Sequence, residues 1–316
     1  MTLYYTIVLS LTLLIPLAGY PGAPHWLAWA VWSGVGAVTI LIILIHQDDW
    51  RPPPLVWVLI GLAVGRTVTA RVTWESLCHV TTAWTAVAGA HFAANRTDEI
   101  RPALSWMAIP LTIVAAVQAM PYQQNIFINR NVLGMALIPT LAARIDDRRY
   151  WMIGIPTLGL ALTVSRGAIL SSVLMAAWFY TVLPWVVPVA SAAAPVLMSL
   201  RTPGSIRIHL AYWLAAIRGF LRSPICGLGP ARLGSSELVG HAHNVLLSVA
   251  SWSGLIGLGC LAWGIWRGRE GWRDLPRWAL AGLIGLALAG LVDDWTLHPL
   301  IMAMAGGLAA AKSPAE

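Results

Sequence analysis

Apolar runs close to the length of a membrane span recur from one end of this chain to the other. About 18 consecutive apolar residues with few charges suffice to cross the hydrocarbon core of a bilayer as a helix. Marked at turn residues and charges, the runs fall near 3–19, 26–45, 54–65, 77–94, 103–119, 131–143, 150–164, 167–183, 185–199, 244–265, 277–292 and 298–311. Short and proline-broken runs leave the count between ten and twelve, with twelve favoured. Only 10% of the residues are charged and the mean hydropathy is +0.71, whereas a soluble chain carries roughly a quarter charged residues. The pattern excludes a water-facing globule. It predicts an all-α polytopic protein, one integral membrane domain over residues 1–316.

Details of the runs agree. Trp26, Trp29, Trp50, Trp57, Trp151, Trp185, Trp266, Trp278 and Trp295 stand near run ends, where indole rings anchor a span among headgroups. Cys78, Cys226 and Cys260 are odd in number and follow no metal-ligand spacing, which argues against a disulfide framework and a zinc site. The first run, Leu3 to Leu17, lacks a basic flank and a cleavage pattern, so it reads as a retained helix.

Orientation follows from basic residues in short loops. With the N-terminus inside, Arg51, Arg96, Arg101, Arg144, Arg148, Arg149, Arg267, Arg269, Arg273, Arg277 and Lys312 are cytoplasmic, against nine arginines outside. Five of those nine lie in one long loop, about 200–243, and long loops weigh little in this rule. Both termini are therefore expected inside. The outer face gathers four segments: FINRNVLG (127–134), TVSRGAI (163–169), the long loop, and VDDWTLHP (292–299).

These segments are rich in arginine where topology disfavours it, which points to an anionic ligand. Wound as a helix, the loop stretch SIRIHLAYWLAAIRGFLR places Arg207, Arg218 and Arg222 within roughly 60° of one another. Ile206, Leu210, Trp213, Ile217, Phe220 and Leu221 fill the neighbouring arc. This is the pattern of an amphipathic helix lying on a membrane with a basic edge. Arg166 sits at a junction of two runs with no acid within fourteen residues, and guanidinium suits bidentate contact with phosphate oxygens. Contact with lipid headgroups, or with carbonyls at a helix end, remains open for any one of these arginines. In HAHNVLLSVASWSGLIG (241–257), His243 precedes a span; a neutral imidazole there can take a proton from a hydroxyl. Asn244 beside it can cap the following helix or bond a sugar hydroxyl. His209, Glu237, His241, His243, Asp293, Asp294 and His298 share the outer face without tight metal spacing, so no metal is expected.

His243, Asn244, nine residues, Gly254 and Gly257 form the pattern His-Asn-x9-Gly-x-x-Gly. It resembles the O-antigen ligase and O-antigen polymerase superfamily of bacterial envelope glycan assembly. FINRNVLG, with Asn129, Asn131 and Gly134, is similar to that family's Asn-x-Asn-x-x-Gly segment, and LTVSRGAIL to its Ser-Arg-Gly span junction. The stretch ending in SPICGLG resembles its periplasmic arginine-to-glycine stretch, and Arg218 to Gly229 fits the R-x10-G spacing of polymerases. The four motifs occur in the family's order and cover about residues 125–260.

The resemblance implies a GT-C-like glycosyltransferase of the bacterial inner membrane, needing no cofactor, with its site facing the periplasm. Its donor would be a glycan on undecaprenyl pyrophosphate; its acceptor would be a sugar hydroxyl of lipid A-core, or of a second lipid-linked repeat in a polymerase. His243 would be the base. Arg166, Arg207 and Arg218 would hold the pyrophosphate, with His241, Asn244, Asn129, Arg130, Asp293 and Asp294 in support. The chain departs from many members at Trp252 and Ser253, where they carry an acidic residue, and at 316 residues it is shorter than most. The close fit of the histidine motif favours the ligase. A transporter or flippase of an anionic lipid-linked substrate is the reading from another class, although the two halves show no self-similarity. No nucleic-acid partner is expected.

Overall fold

A computed structural model describes residues 87, 89–90, 94, 97–120, 130–145, 150–181, 203–228, 242–293 and 299–311. Among these residues the chain forms helices and no strand. The helices are α1 (Thr97–Ala119), α2 (Arg130–Ile145), α3 (Tyr150–Thr163), α4 (Arg166–Thr181), α5 (Pro203–Arg222), α6 (Val245–Trp272), α7 (Arg277–Gly290) and α8 (Pro299–Ala310). The expected runs 3–19, 26–45, 54–65 and 185–199 lie outside the described residues, as do His241, Asn129 and Asp294. Two stretches, Glu99–Ala119 and Val245–Arg269, are long and apolar enough to cross a membrane. The second of these is bent at Gly254, whose backbone is not helical.

Helix α2 is the centre of a bundle. Every residue from Val132 to Ile145 is buried, because α1, α3, α4, α7 and α8 all pack around it. One apolar core joins Leu111, Leu133, Leu137, Ile138, Met175, Leu286, Ile301 and Leu308. Pro110, Pro139 and Pro156 interrupt the ladders of α1, α2 and α3, a pattern tolerated where neighbours supply hydrogen bonds. Thr112 Oγ1 adds a bond across the α1–α3 crossing, donating to the Ile155 carbonyl at 3.0 Å.

One end of the bundle is closed by arginines on carbonyls. Arg101 Nε donates to the Ala143 carbonyl at 3.1 Å, and Arg277 to that of Phe179 while lying over its ring. Arg144, expected in a solvated loop, is instead in the last turn of α2 and 3% exposed. Its guanidinium donates to the Ser105 carbonyl and to Met152 Sδ, so the buried charge is held by hydrogen bonds. Helix α6 also runs farther than expected, through Arg267 and Arg269 to Trp272, leaving only 273–276 to turn into α7.

Helices α5 and α6 form a second unit. Their small buried clusters contain Val249, Ala216 and Ala242, and Leu255, Ile256, Trp263, Ile265 and Trp266 of α6 are exposed. On α5, Arg207, Arg218 and Arg222 are exposed along one edge, as the periodicity predicts, with exposed Leu210, Leu214, Ile217 and Leu221 beside them. Trp213 and Phe220, expected in that apolar arc, turn partly inward on the face that packs on α6.

Candidate functional site

The end of the bundle away from the arginine caps is built from the segments assigned to the outer face. Chain direction alone brings together the starts of α2, α4 and α6 with the ends of α3 and α7. Close approach then locks them. A side chain at Gly134 would meet Ser165 Cβ at 2.9 Å and Ala168 Cβ at 2.8 Å, and one at Gly167 would meet Val292 Cγ2 at 2.5 Å. The glycines of FINRNVLG and SRG are therefore contact points between α2, α4 and the end of α7.

Between these segments lies a cavity of about 190 Å³ lined by Asn131, Ser165, Arg166, Gly167, His209, Val292 and Asp293, among others. The first turn of α4 opens into it. Val164, just before, takes φ 53°, a left-handed conformation that a β-branched residue adopts only at a cost of about 1–3 kcal/mol. The strain turns the chain from α3 to α4 in two residues, burying Ser165 and setting Arg166 at the helix start. A helix N-terminus with an arginine on its first turn is a site for an anion.

His243 is the second described non-glycine residue with positive φ, at 49°. The turn that holds it is tied on both sides. Asn244 Oδ1 accepts from Leu247 N–H at 3.0 Å, capping α6, while its amide donates to the Leu291 carbonyl at 2.7 Å. Ser248 Oγ accepts from Ala242 N–H at 3.2 Å. Of the two roles weighed for Asn244, the cap is the one seen. His243 Nδ1 lies 3.1 Å from Asp293 Oδ1, and Asp293 is 8% exposed. A carboxylate accepting from Nδ1–H leaves Nε2 as the basic nitrogen. His209 and Tyr212, one turn apart on α5, meet the His243 ring edge-on at centroid distances of 5.2 and 5.1 Å.

The arm that carries His209 is fastened by main chain. Gly254 (φ 60°, ψ −152°) breaks α6, and the turn 223–228 fills the break. Leu255 N–H donates to the Pro224 carbonyl at 2.7 Å and Ile256 N–H to that of Ile225 at 3.2 Å. Leu228 N–H donates in return to the Ser251 carbonyl at 2.8 Å. The polar groups freed by the break are thus paired, as an apolar setting requires. No side chain fits at the contact, where a Cβ on Gly227 or Gly254 would come within 2.2 or 2.3 Å of backbone.

The sequence-predicted residues divide accordingly. Arg166 and Asp293 line the cavity; His243 does not, and meets it through Asp293 and His209. Arg207 and Arg218 are exposed on α5 and outside the lining, and Arg130 is half-buried at the start of α2. Among the described residues, no three of His, Cys, Asp and Glu come together as metal ligands. Two members were not singled out by sequence as organic site residues, His209 and Tyr212. Their i, i+3 spacing marks one face of α5, but nothing local shows that this face meets His243. Burial, then the neighbouring His243, pushes the His209 pKa below its ordinary value of 6.5, with Asp293 opposing, so the ring is neutral at pH 7. No protein-family model matches the chain, and no curated protein matches it.

Proposed function

We propose that this chain is a twelve-span, GT-C-like glycosyltransferase of the bacterial inner membrane whose site faces the periplasm. It moves a glycan from undecaprenyl pyrophosphate to a sugar hydroxyl of lipid A-core, as an O-antigen ligase does. One observation carries the reading: a histidine paired with a buried carboxylate stands beside a cavity that holds an arginine at a helix start. The motifs of the sequence supply the substrate class; the geometry supports the division of labour. Arg166 and the first turn of α4 bind the pyrophosphate, with Arg207 and Arg218 at the outer edge to draw in the anionic lipid. Asp293 accepts from His243 Nδ1–H and holds the ring with Nε2 basic. Nε2 takes the proton of the acceptor hydroxyl as its oxygen attacks the anomeric carbon, and the bond to pyrophosphate breaks with its electron pair leaving on phosphate. With Asp293 engaged by His243, the base acts in a single displacement with inversion. The leaving group needs only neutralisation of its charge, which the arginine and the helix start supply; the base adds roughly 10²–10⁴-fold.

The test uses purified protein, a synthetic undecaprenyl-pyrophosphate glycan and EDTA, with lipid A-core and a second lipid-linked repeat offered in parallel. Transfer to lipid A-core that is lost in His243→Ala is the expected result. Elongation of the lipid-linked repeat would make the protein a polymerase with the same site. Binding of donor with no transfer to either acceptor would sink the transferase reading in favour of transport.

A further inference from the structure

Among the described residues, His209 is a ring that touches both halves of the site. It lines the cavity with Arg166, and its ring abuts that of His243 at 5.2 Å. In a transfer reaction the phosphate sits at the cation and the attacking hydroxyl at the base. The group between them is the sugar joined to pyrophosphate. A residue that spans the interval faces that sugar. We propose that His209 is a specificity-determining residue that donates a hydrogen bond from Nε2 to an oxygen of the first donor sugar, an assignment that rests on the transferase reading above.

The chemistry of the ring fits. Nδ1 is buried and without a hydrogen-bond partner, so Nε2 is the nitrogen left for a ligand. With its proton on Nε2 the neutral ring presents a donor there. A neutral donor matches a neutral sugar oxygen, whereas the fixed charge of Arg166 matches phosphate. Tyr212, which also meets the His243 ring, and Asp293 on its Nδ1 keep the base oriented when His209 is replaced.

Binding separates this idea from the transferase reading, since it needs no turnover. The dissociation constants of undecaprenyl pyrophosphate and of undecaprenyl-pyrophosphate-linked N-acetylglucosamine would be measured on the full chain in nanodiscs. Their ratio is independent of the fraction of active protein. Wild type should favour the sugar-bearing lipid by about fivefold, the net worth of one neutral hydrogen bond. His209→Leu should bring the ratio to about one, and His209→Gln, which keeps an N–H donor at similar reach, should restore most of it. An equal ratio in wild type, or a full preference retained in His209→Leu, overturns the proposal. So does a loss of affinity for the bare lipid matching that for the sugar-bearing one, which would place His209 on phosphate. Glycan transfer, assayed separately, decides the reaction itself.

Discussion

The bundle around α2 and the pair α5–α6 are stabilised by different means. In the bundle, apolar side chains bury one another, glycines let helices approach, and arginines rest on carbonyls. In the pair, the buried clusters are slight, large apolar side chains face outward, and three main-chain hydrogen bonds tie the two across a broken helix. The first arrangement makes a rigid wall. The second leaves an outer surface for lipid and an inner face free to meet a ligand. The candidate site lies on the seam, with Arg166 and Asp293 from the wall, and His209, Tyr212 and His243 from the pair.

The contrast can be broken from either side. The largest effect is expected at the seam: Asp293→Asn should lower the turnover number for glycan transfer by about 10²–10⁴-fold, as loss of the orienting carboxylate does in other His-Asp pairs. Its melting temperature in detergent should stay near wild type; a melt lowered in step with activity would mean the pair is only structural. Next comes the fastening. Gly254→Val meets the Ile225 carbonyl and a positive φ together, so α5 should come away from α6. A site displaced by even 1 Å costs about 10²-fold in rate. Trypsin should then cut sooner at Arg218 and Arg222, while the bundle melts as before. In the wall, Gly285→Val drives a side chain into Ile138 and Met175. Such overpacking costs about 1–3 kcal/mol and should lower the melting temperature, with transfer per folded molecule unchanged. An equal loss of transfer would deny that wall and pair are separable.

The smallest effect concerns acid. His209 has its pKa lowered in the folded chain, so on acidification the unfolded ring takes its proton first. That favours the unfolded state as pH falls through 6.5. His209→Leu should flatten this slope of thermal stability against pH; an unchanged slope would mean that His209 is solvated in the folded protein.

Much of the bundle was legible in the sequence. Hydropathy and turn residues place seven of the helices to within a few residues, except where α1 begins earlier and α6 ends later than the runs suggest. The facial assignment also placed Asn131, Arg166, His243 and Asp293 on one side, because chain direction alternates with each span. Averages over a window hide single residues. Gly254 lies inside an unbroken apolar run, and nothing local announces that its φ is positive. Arg144 reads as a loop cation because its acceptor, Ser105, is 39 residues away. Periodicity found the basic edge of α5 but was silent on the opposite face, where His209 and Tyr212 meet a residue more than 30 positions later. Contacts of that kind depend on how two helices dock, which composition does not encode.

The fastening of α5 to α6 has a consequence for how the chain tolerates change. Since backbone makes the tie, residues 224, 225, 255 and 256 can be exchanged for many others without loosening it. Length is another matter. One residue inserted between Arg222 and Gly227 would move the paired carbonyls out of step and rotate α5 by about 100°, carrying His209 off the His243 ring. Deletion scanning through this turn should therefore inactivate at every position, while substitution scanning passes at all but the glycines.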